Sequence, residues 1–361
     1  MNWLTKYFTT EEVNIDRQDE FDIARTFSII GMIITHCYES SQYDMSSGFA
    51  YWVVIFMGSF LGAPLFMFYM GAAIRYSRNV TAEYLAKRGL RIFIGGYLFN
   101  ILRRIIPLFA LGIWEHGRYP LWYYVLLFSA ADILQFAGLA LMTIALVKKC
   151  HIPDVVLVIY GVICSIIGSL TCGVDFGNRT VNALMGVLIG TKLDGASGGP
   201  FSYAHYFIFV ALGYVYGKYW KRLSDKDGFY KHISPICAVV GIIGVIIELY
   251  FKVGAIGSHD LEAYYYMDLP NVLLCCVLAM AMAGVYYWLH RICGQKFHNF
   301  CRIMSSNIAI VYVVHFTLLR WILYTVVINI MGVEPTQLII LTSATILTII
   351  SFYTAKWLRK G

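Results

Sequence analysis

The sequence predicts an all-α fold, a polytopic membrane bundle of about ten transmembrane helices with both termini cytoplasmic. Three observations carry this expectation. Hydrophobic residues make up 59% of the 361-residue chain and charged residues only 14%, with a mean hydropathy of +0.66, beyond what a soluble domain of this size carries. Ten apolar runs approach the roughly 20 residues that a helix needs to cross a bilayer. Basic residues then fall on alternate connections, as the retention of Lys and Arg on the cytoplasmic side requires.

The runs occupy about 24–43, 50–74, 90–112, 121–147, 153–172, 201–219, 233–252, 269–290, 305–331 and 337–357. The first opens on Arg25 and contains His36. Its long acidic flank, with no small-residue cleavage site after it, argues against a signal peptide. The third is interrupted by Arg103 and Arg104 before Pro107. Either the helix breaks there near the outer surface or the arginines point into a cavity, and the cavity is favoured. The fourth carries Asp132 and Gln135, three apart and so on one helical face. An unpaired carboxylate at that depth costs about 2.5–3.5 kcal/mol on insertion scales, so Asp132 is expected to be paired or to line water, orienting His36 or accepting an arginine. Between the fifth and sixth runs lies the outer loop 173–200, whose VNALMGVLIG segment is too short to span. It reads either as a helix capping the bundle or as a lid over an acceptor site. Glu248 near the end of the seventh run reads as a water-facing rim residue or an acceptor ligand.

With residue 1 inside, the inner segments hold Arg75, Arg78, Lys87, Arg88 and Arg91, then Lys148 and Lys149, then Lys218, Lys221, Arg222, Lys226 and Lys231, and finally Arg291, Lys296, Arg302, Lys356, Arg359 and Lys360. The outer loops are mainly acidic, with Glu39, Asp44, Glu115, Asp175, Asp194, Asp260, Glu262, Asp268 and Glu334. The net charge of +7 is mostly this asymmetry and calls for no nucleic-acid partner. Nine cysteines show no framework spacing and imply neither disulfides nor a metal site. The simplest division is a cytoplasmic tail, 1–21, followed by one integral domain, 22–361. An apolar exterior suits lipid contact and a homodimer alike.

Ionisable groups at membrane depth point to chemistry or transport. His36 lies about 12 residues into its run, a rise of roughly 18 Å that takes it past the bilayer centre. A neutral imidazole there suits a general base for an incoming hydroxyl or amine, or a hydrogen-bonded link between helices. Arg25 at the cytoplasmic entry reads as a helix anchor or as a pair with Asp22.

These residues fall into ordered motifs. Asp22 and Arg25 give D-x-x-R, and Arg25 is followed, after ten intervening residues, by His36. The second run reads GSFLGAPLFMFYMGAAI, and Arg88 and Arg91 form R-x-x-R. The fourth run opens PLWYYVLL, and the ninth reads SSNIAIVYVVHF, ending at His315 and Phe316. In this order the motifs resemble the integral membrane acyltransferase 3 family, with R-x10-H in the first helix, R-x-x-R in the following loop, LW(Y/F), and a late SY-x-x-Y-x-x-H segment. Ser306 and Asn307 stand where Ser-Tyr is common. Ile133-Leu134-Gln135 is also similar to a V-L-Q element of heparan-α-glucosaminide-type acetyltransferases.

The resemblance implies transfer of an acyl group, commonly acetyl, from cytoplasmic acyl-coenzyme A to a carbohydrate, cell-envelope or small-molecule acceptor at the outer side of the plasma membrane. His36 is then the expected base, with Asp132 supporting it. Coenzyme A is a polyanion, so Arg25, Arg88 and Arg91 are expected to hold its phosphates, which arginine grips bidentately. Gln135, Glu248, His315, Arg103 and Arg104 are the expected acceptor-side residues, and aromatic rings near 119–124 and 264–266 offer stacking faces for a sugar. No metal is expected. The rival reading is a secondary transporter, since buried His, Asp and Arg also serve proton relays; the chain lacks the inverted repeats that this class commonly shows.

Overall fold

The computed structural model describes residues 6–77, 80–114, 117, 119–192, 200–258, 263 and 265–359. Arg78, Glu115, Asp194, Asp260, Glu262, Tyr264 and Lys360 lie outside the described residues, as does part of the outer loop at 193–199. Those described form helices throughout, with two isolated β-bridges and no strand.

In chain order the helices are α1 (Asp19–Ser41), α2 (Gly48–Tyr76), α3 (Ala82–Trp114), α4 (Leu121–Ser129), α5 (Ile133–Lys149), α6 (Asp154–Leu170), α7 (Arg179–Met185), α8 (Tyr203–Lys221), α9 (Lys226–Phe251) and α10 (Gly254–Gly257). They continue with α11 (Leu269–Ile292), α12 (Gln295–Ser306), α13 (Ile308–Ile330) and α14 (Gln337–Leu358). Side-chain caps start several of them, as the fold of a polar turn into an apolar run requires. Thr81 Oγ1 accepts from Tyr84 N at 3.1 Å, and Asp268 Oδ1 accepts from Asn271 N at 3.0 Å.

By length and composition, α2, α3, α9, α11, α13 and α14 can each cross a membrane, and α4 with α5 make a seventh span if counted together. The expected fourth span is thus broken: α4 and α5 meet at a 43° bend. The cause is Asp132, which sits outside the helix as the N-cap of α5 and forms a capping box with Gln135. The two share a turn rather than a helical face. The third span differs the other way. No break occurs before Pro107; α3 runs on through a π-helical turn at Ile101–Ile105 that carries both Arg103 and Arg104.

α1 and α8 fall outside the six spans and are largely buried in the bundle. α1 buries Glu20, Asp22, Thr26, Ser28, Thr35, Ser40 and Ser41, whose polar atoms protein neighbours can satisfy and lipid cannot. α8 packs against the second half of α2 at backbone distance. A Cβ on Gly213 would lie 1.9 Å from Phe68 O, and one on Gly71 would lie 2.2 Å from Val210 O, the close approach that small residues permit between membrane helices. Gly213→Leu is therefore expected to destabilise the protein by about 1–3 kcal/mol or more, read as a lowered melting temperature in detergent, whereas Gly95→Leu, at a position with open space around it, should melt like the parent. The outer faces of α6 and α9 expose Val155, Ile159, Ile163, Val239, Ile243 and Ile246, an apolar surface that suits lipid.

The expected polar tail is partly folded onto the bundle. Phe8 bridges to Leu223, Tyr7 is buried, and Val13 N donates to Lys221 O at 2.8 Å. α1 also begins earlier than the apolar run, because Asp19, Glu20 and Asp22 favour the helix N-terminus.

Candidate active site

α1 sets the scale of the site. Its 23 residues rise about 34 Å, with Asp22 and Arg25 towards one end and His36 and Glu39 towards the other. A separate cavity lies at each.

The larger, about 600 Å³, is lined by Arg17, Arg25 and Arg88, by Ser305, Ser306 and Asn307, and by apolar side chains including Ile29, Met32, Phe66, Met70, Ile133 and Leu134. Asp22, 2% exposed, organises its charge. It accepts from Arg17 Nε at 2.5 Å, from Arg25 Nη2 at 2.8 Å and from Ser305 Oγ at 2.7 Å. Arg17 also reaches Ser306 Oγ at 2.8 Å. One carboxylate thus fixes two guanidiniums, and Arg88 adds a third positive charge. The first turn of α13 lines the same space with Ile308, Ala309 and Ile310, and a helix N-terminus favours anions. Arg91 is exposed and does not line the cavity, so only Arg88 of the R-x-x-R pair is brought to it.

The smaller cavity, about 100 Å³, is lined by His36, Glu39, Ser40, Arg103, Arg104, Asp132, Pro200, Phe201, Tyr265, Phe316 and Arg320. His36 Nδ1 lies 2.9 Å from Glu39 Oε2, and Tyr265 Oη donates to Glu39 Oε1 at 2.6 Å. A carboxylate only accepts, so Nδ1 carries a proton, and in the neutral ring Nε2 is the basic nitrogen. The orientation of the imidazole is set by a carboxylate one helical turn away. It also packs on Phe316, with ring centres 4.4 Å apart, and lies parallel to His315 at 5.9 Å. Among the described residues Arg104 and Arg320 have no acidic partner.

The walls of the two cavities meet at one buried cluster. Arg103, 2% exposed, is ion-paired with Asp132. Its Nη1 donates to Tyr312 Oη at 3.3 Å, and its Nε and Nη2 donate to Asn100 Oδ1 at 3.0 and 2.9 Å. Asn100 in turn donates to Ala130 O at 2.7 Å in the break between α4 and α5. Tyr312 and Ile133 face the larger cavity, while Arg103 and Asp132 face the smaller. The kink, the π-turn and the cluster are one device, because each supplies a group that the others need. Excursions from α-helix at such places are frequent at functional sites.

Three expected residues sit elsewhere. Glu248 is buried but lines neither cavity; its Oε2 accepts from Ile256 N at 3.2 Å and closes the α9–α10 turn. Gln135 Oε1 accepts from Asp132 N in the capping box, and its buried Nε2 has no partner among the described residues. His315 is fully buried and donates from Nδ1 to Val311 O at 2.7 Å, and its Nε2 has no partner among the described residues. Of the aromatic candidates, Tyr265 reaches the small cavity, Tyr119 and Tyr123 stack on each other, and Tyr266 donates to Thr191 O.

A family model described as an acyltransferase domain matches residues 18–355, nearly the whole chain and the span that contains both cavities. The chain belongs to the acyltransferase 3 family. No curated protein and no solved structure matches it. This acyltransferase 3 protein is thus a membrane acyltransferase, as its ordered motifs imply. Glu39, Arg17 and Arg320 line the two cavities and were missed by sequence reasoning. Glu39 had a local signal, three residues after His36 and so on its face of the helix. The others become visible only when distant helices meet.

Proposed function

We propose that the protein moves an acyl group, most simply acetyl, from acyl-coenzyme A in the larger cavity to a hydroxyl or amine that enters through the smaller one. The acceptor is a carbohydrate or another cell-envelope component. The observation that carries this reading is the placement of two chemically different cavities at opposite ends of α1, one rich in guanidinium and one built around the His36–Glu39 pair.

The larger cavity suits the donor. Its volume lies within the range of small-ligand sites, Arg17, Arg25 and Arg88 match phosphate, and its apolar remainder matches a slender chain that leads towards Tyr312. When bound, the thioester supplies an activated acyl group. The protein's part is to take the acceptor's proton at His36 Nε2 while Glu39 stabilises the imidazolium that results. Arg104 and Arg320, without carboxylate partners, favour an acceptor with an anionic group near its reacting atom, such as a uronate or a phosphate.

The test is thermal stabilisation of the detergent-purified protein by acetyl-coenzyme A. Arg88→Ala is expected to weaken binding about tenfold, the worth of one charge-assisted hydrogen bond of roughly 1.5 kcal/mol. Arg91→Ala should act much less. Equal effects at the two positions would remove the cavity assignment. No stabilisation by any acyl-coenzyme A, with solute uptake by liposomes containing the protein, would favour transport instead.

A further inference from the structure

A second cluster of chemically capable side chains lies outside both cavities, where α1 begins and α11 turns into α12. Asp19, His290 and His298 each offer one ligand atom there, and all three atoms lie within 4.8 Å of one another. We propose that these residues form a binding site for a divalent cation of the zinc class, which pins the start of α1 to the α11–α12 turn.

Three observations support it beyond proximity. His298 Nε2 lies 2.9 Å from the backbone carbonyl of His290 and can only donate to it. In the neutral ring this fixes the tautomer and leaves Nδ1 as the basic nitrogen free to take a metal, the arrangement that orients metal-bound histidines generally. His290 Nδ1 is shielded from solvent and has no hydrogen-bond partner among the described residues. It stands 3.5 Å from Asp19 Oδ2, too far for a good hydrogen bond. That spacing is close to the ~3.3 Å between ligand atoms of a tetrahedral ion bound at about 2.0–2.1 Å, so this pair is already set for coordination.

The donor set selects the ion. Two imidazoles and one carboxylate suit zinc and its neighbours, whereas magnesium and calcium take oxygen ligands. Three protein ligands leave one position for water. The placement of the ion gives it a role. Asp19 lies one turn before Asp22, and His298 stands on α12, the helix that ends in Ser305 and Ser306 at the larger cavity. Holding the two helices together would steady the mouth at which Arg17 and Arg25 are arranged.

The experiment uses the full chain, purified in detergent, with any affinity tag removed and bound metal stripped by chelator. ZnCl₂ is titrated by calorimetry and melting temperature, and CoCl₂ by visible absorption, with MgCl₂ as control. About one Zn²⁺ per chain is expected, with a raised melting temperature and cobalt bands of four-coordinate geometry. His290→Gln and His298→Gln, each checked for an unchanged melting transition without metal, should weaken Zn²⁺ binding by tenfold or more, and Asp19→Asn by less. Zinc binding no tighter than magnesium binding, or binding unchanged in the folded His298→Gln protein, overturns the proposal. Should His298→Gln fail to fold, His290→Gln and the cobalt spectrum of the parent decide it.

Discussion

Replacing His36 with Gln is expected to lower acyl transfer by about 10²–10⁴ while the purified protein keeps its melting temperature and its stabilisation by acetyl-coenzyme A. The reason is the division of labour along α1. His36 lines only the smaller cavity, and Arg17, Arg25 and Arg88 line only the larger. Glu39→Gln should lower turnover by roughly 10–100-fold, the loss expected for one hydrogen bond to a charged group, and should leave the affinity for donor unchanged. Single-turnover transfer from labelled acetyl-coenzyme A would measure both. Near-parental turnover by a folded His36→Gln protein would end the general-base assignment, and a Glu39→Gln protein as fast as the parent would reduce that carboxylate to packing.

The second large effect is expected at the Arg103–Asp132 pair. Both residues are buried, and removing one member of a buried pair costs about 3–5 kcal/mol because the other charge is left without compensation. Asp132→Asn should therefore lower the melting temperature strongly and abolish transfer. The double variant Arg103→Met with Asp132→Leu separates structure from chemistry. Well-packed apolar replacements of buried ion pairs are often neutral or stabilising, so stability should return while transfer stays lost. A stable double variant that still transfers acyl groups would make the cluster purely architectural.

What the sequence disclosed, and what it hid, follows from the range of the forces involved. Hydropathy marks a helix by its lipid-facing side, so α9 and α14 were legible at once. A hydrophobic window registers α1 poorly because its polar residues are satisfied by partners far along the chain, as Thr26 is by Cys301 O at 3.1 Å and Asp22 by Ser305. Arg25 and His36 were readable as unusual residues on one run, and their order with Arg88 and His315 suggested a family. The break at Asp132 was not readable. Its apolar flanks satisfy a helical pattern, and only the capping box with Gln135 and the demand of Arg103 make an N-cap better than an interior position. Glu248 misled for the same reason in reverse. A carboxylate near the end of an apolar run suggests a ligand, but the Glu248 carboxylate instead accepts from the backbone amide of Ile256 eight residues on.

The cluster of Arg103, Asp132, Asn100 and Tyr312 has a consequence for the cell as well as for the enzyme. A bundle with hollows at both ends would short-circuit the membrane if they joined, because water and small ions would follow any open path and dissipate the gradients that the membrane stores. Four interlocked polar side chains fill the dividing wall here, with the Arg103 charge balanced by Asp132 and held by Asn100 and Tyr312. The wall between the proposed donor and acceptor cavities would thus also keep the two hollows from joining into one open path.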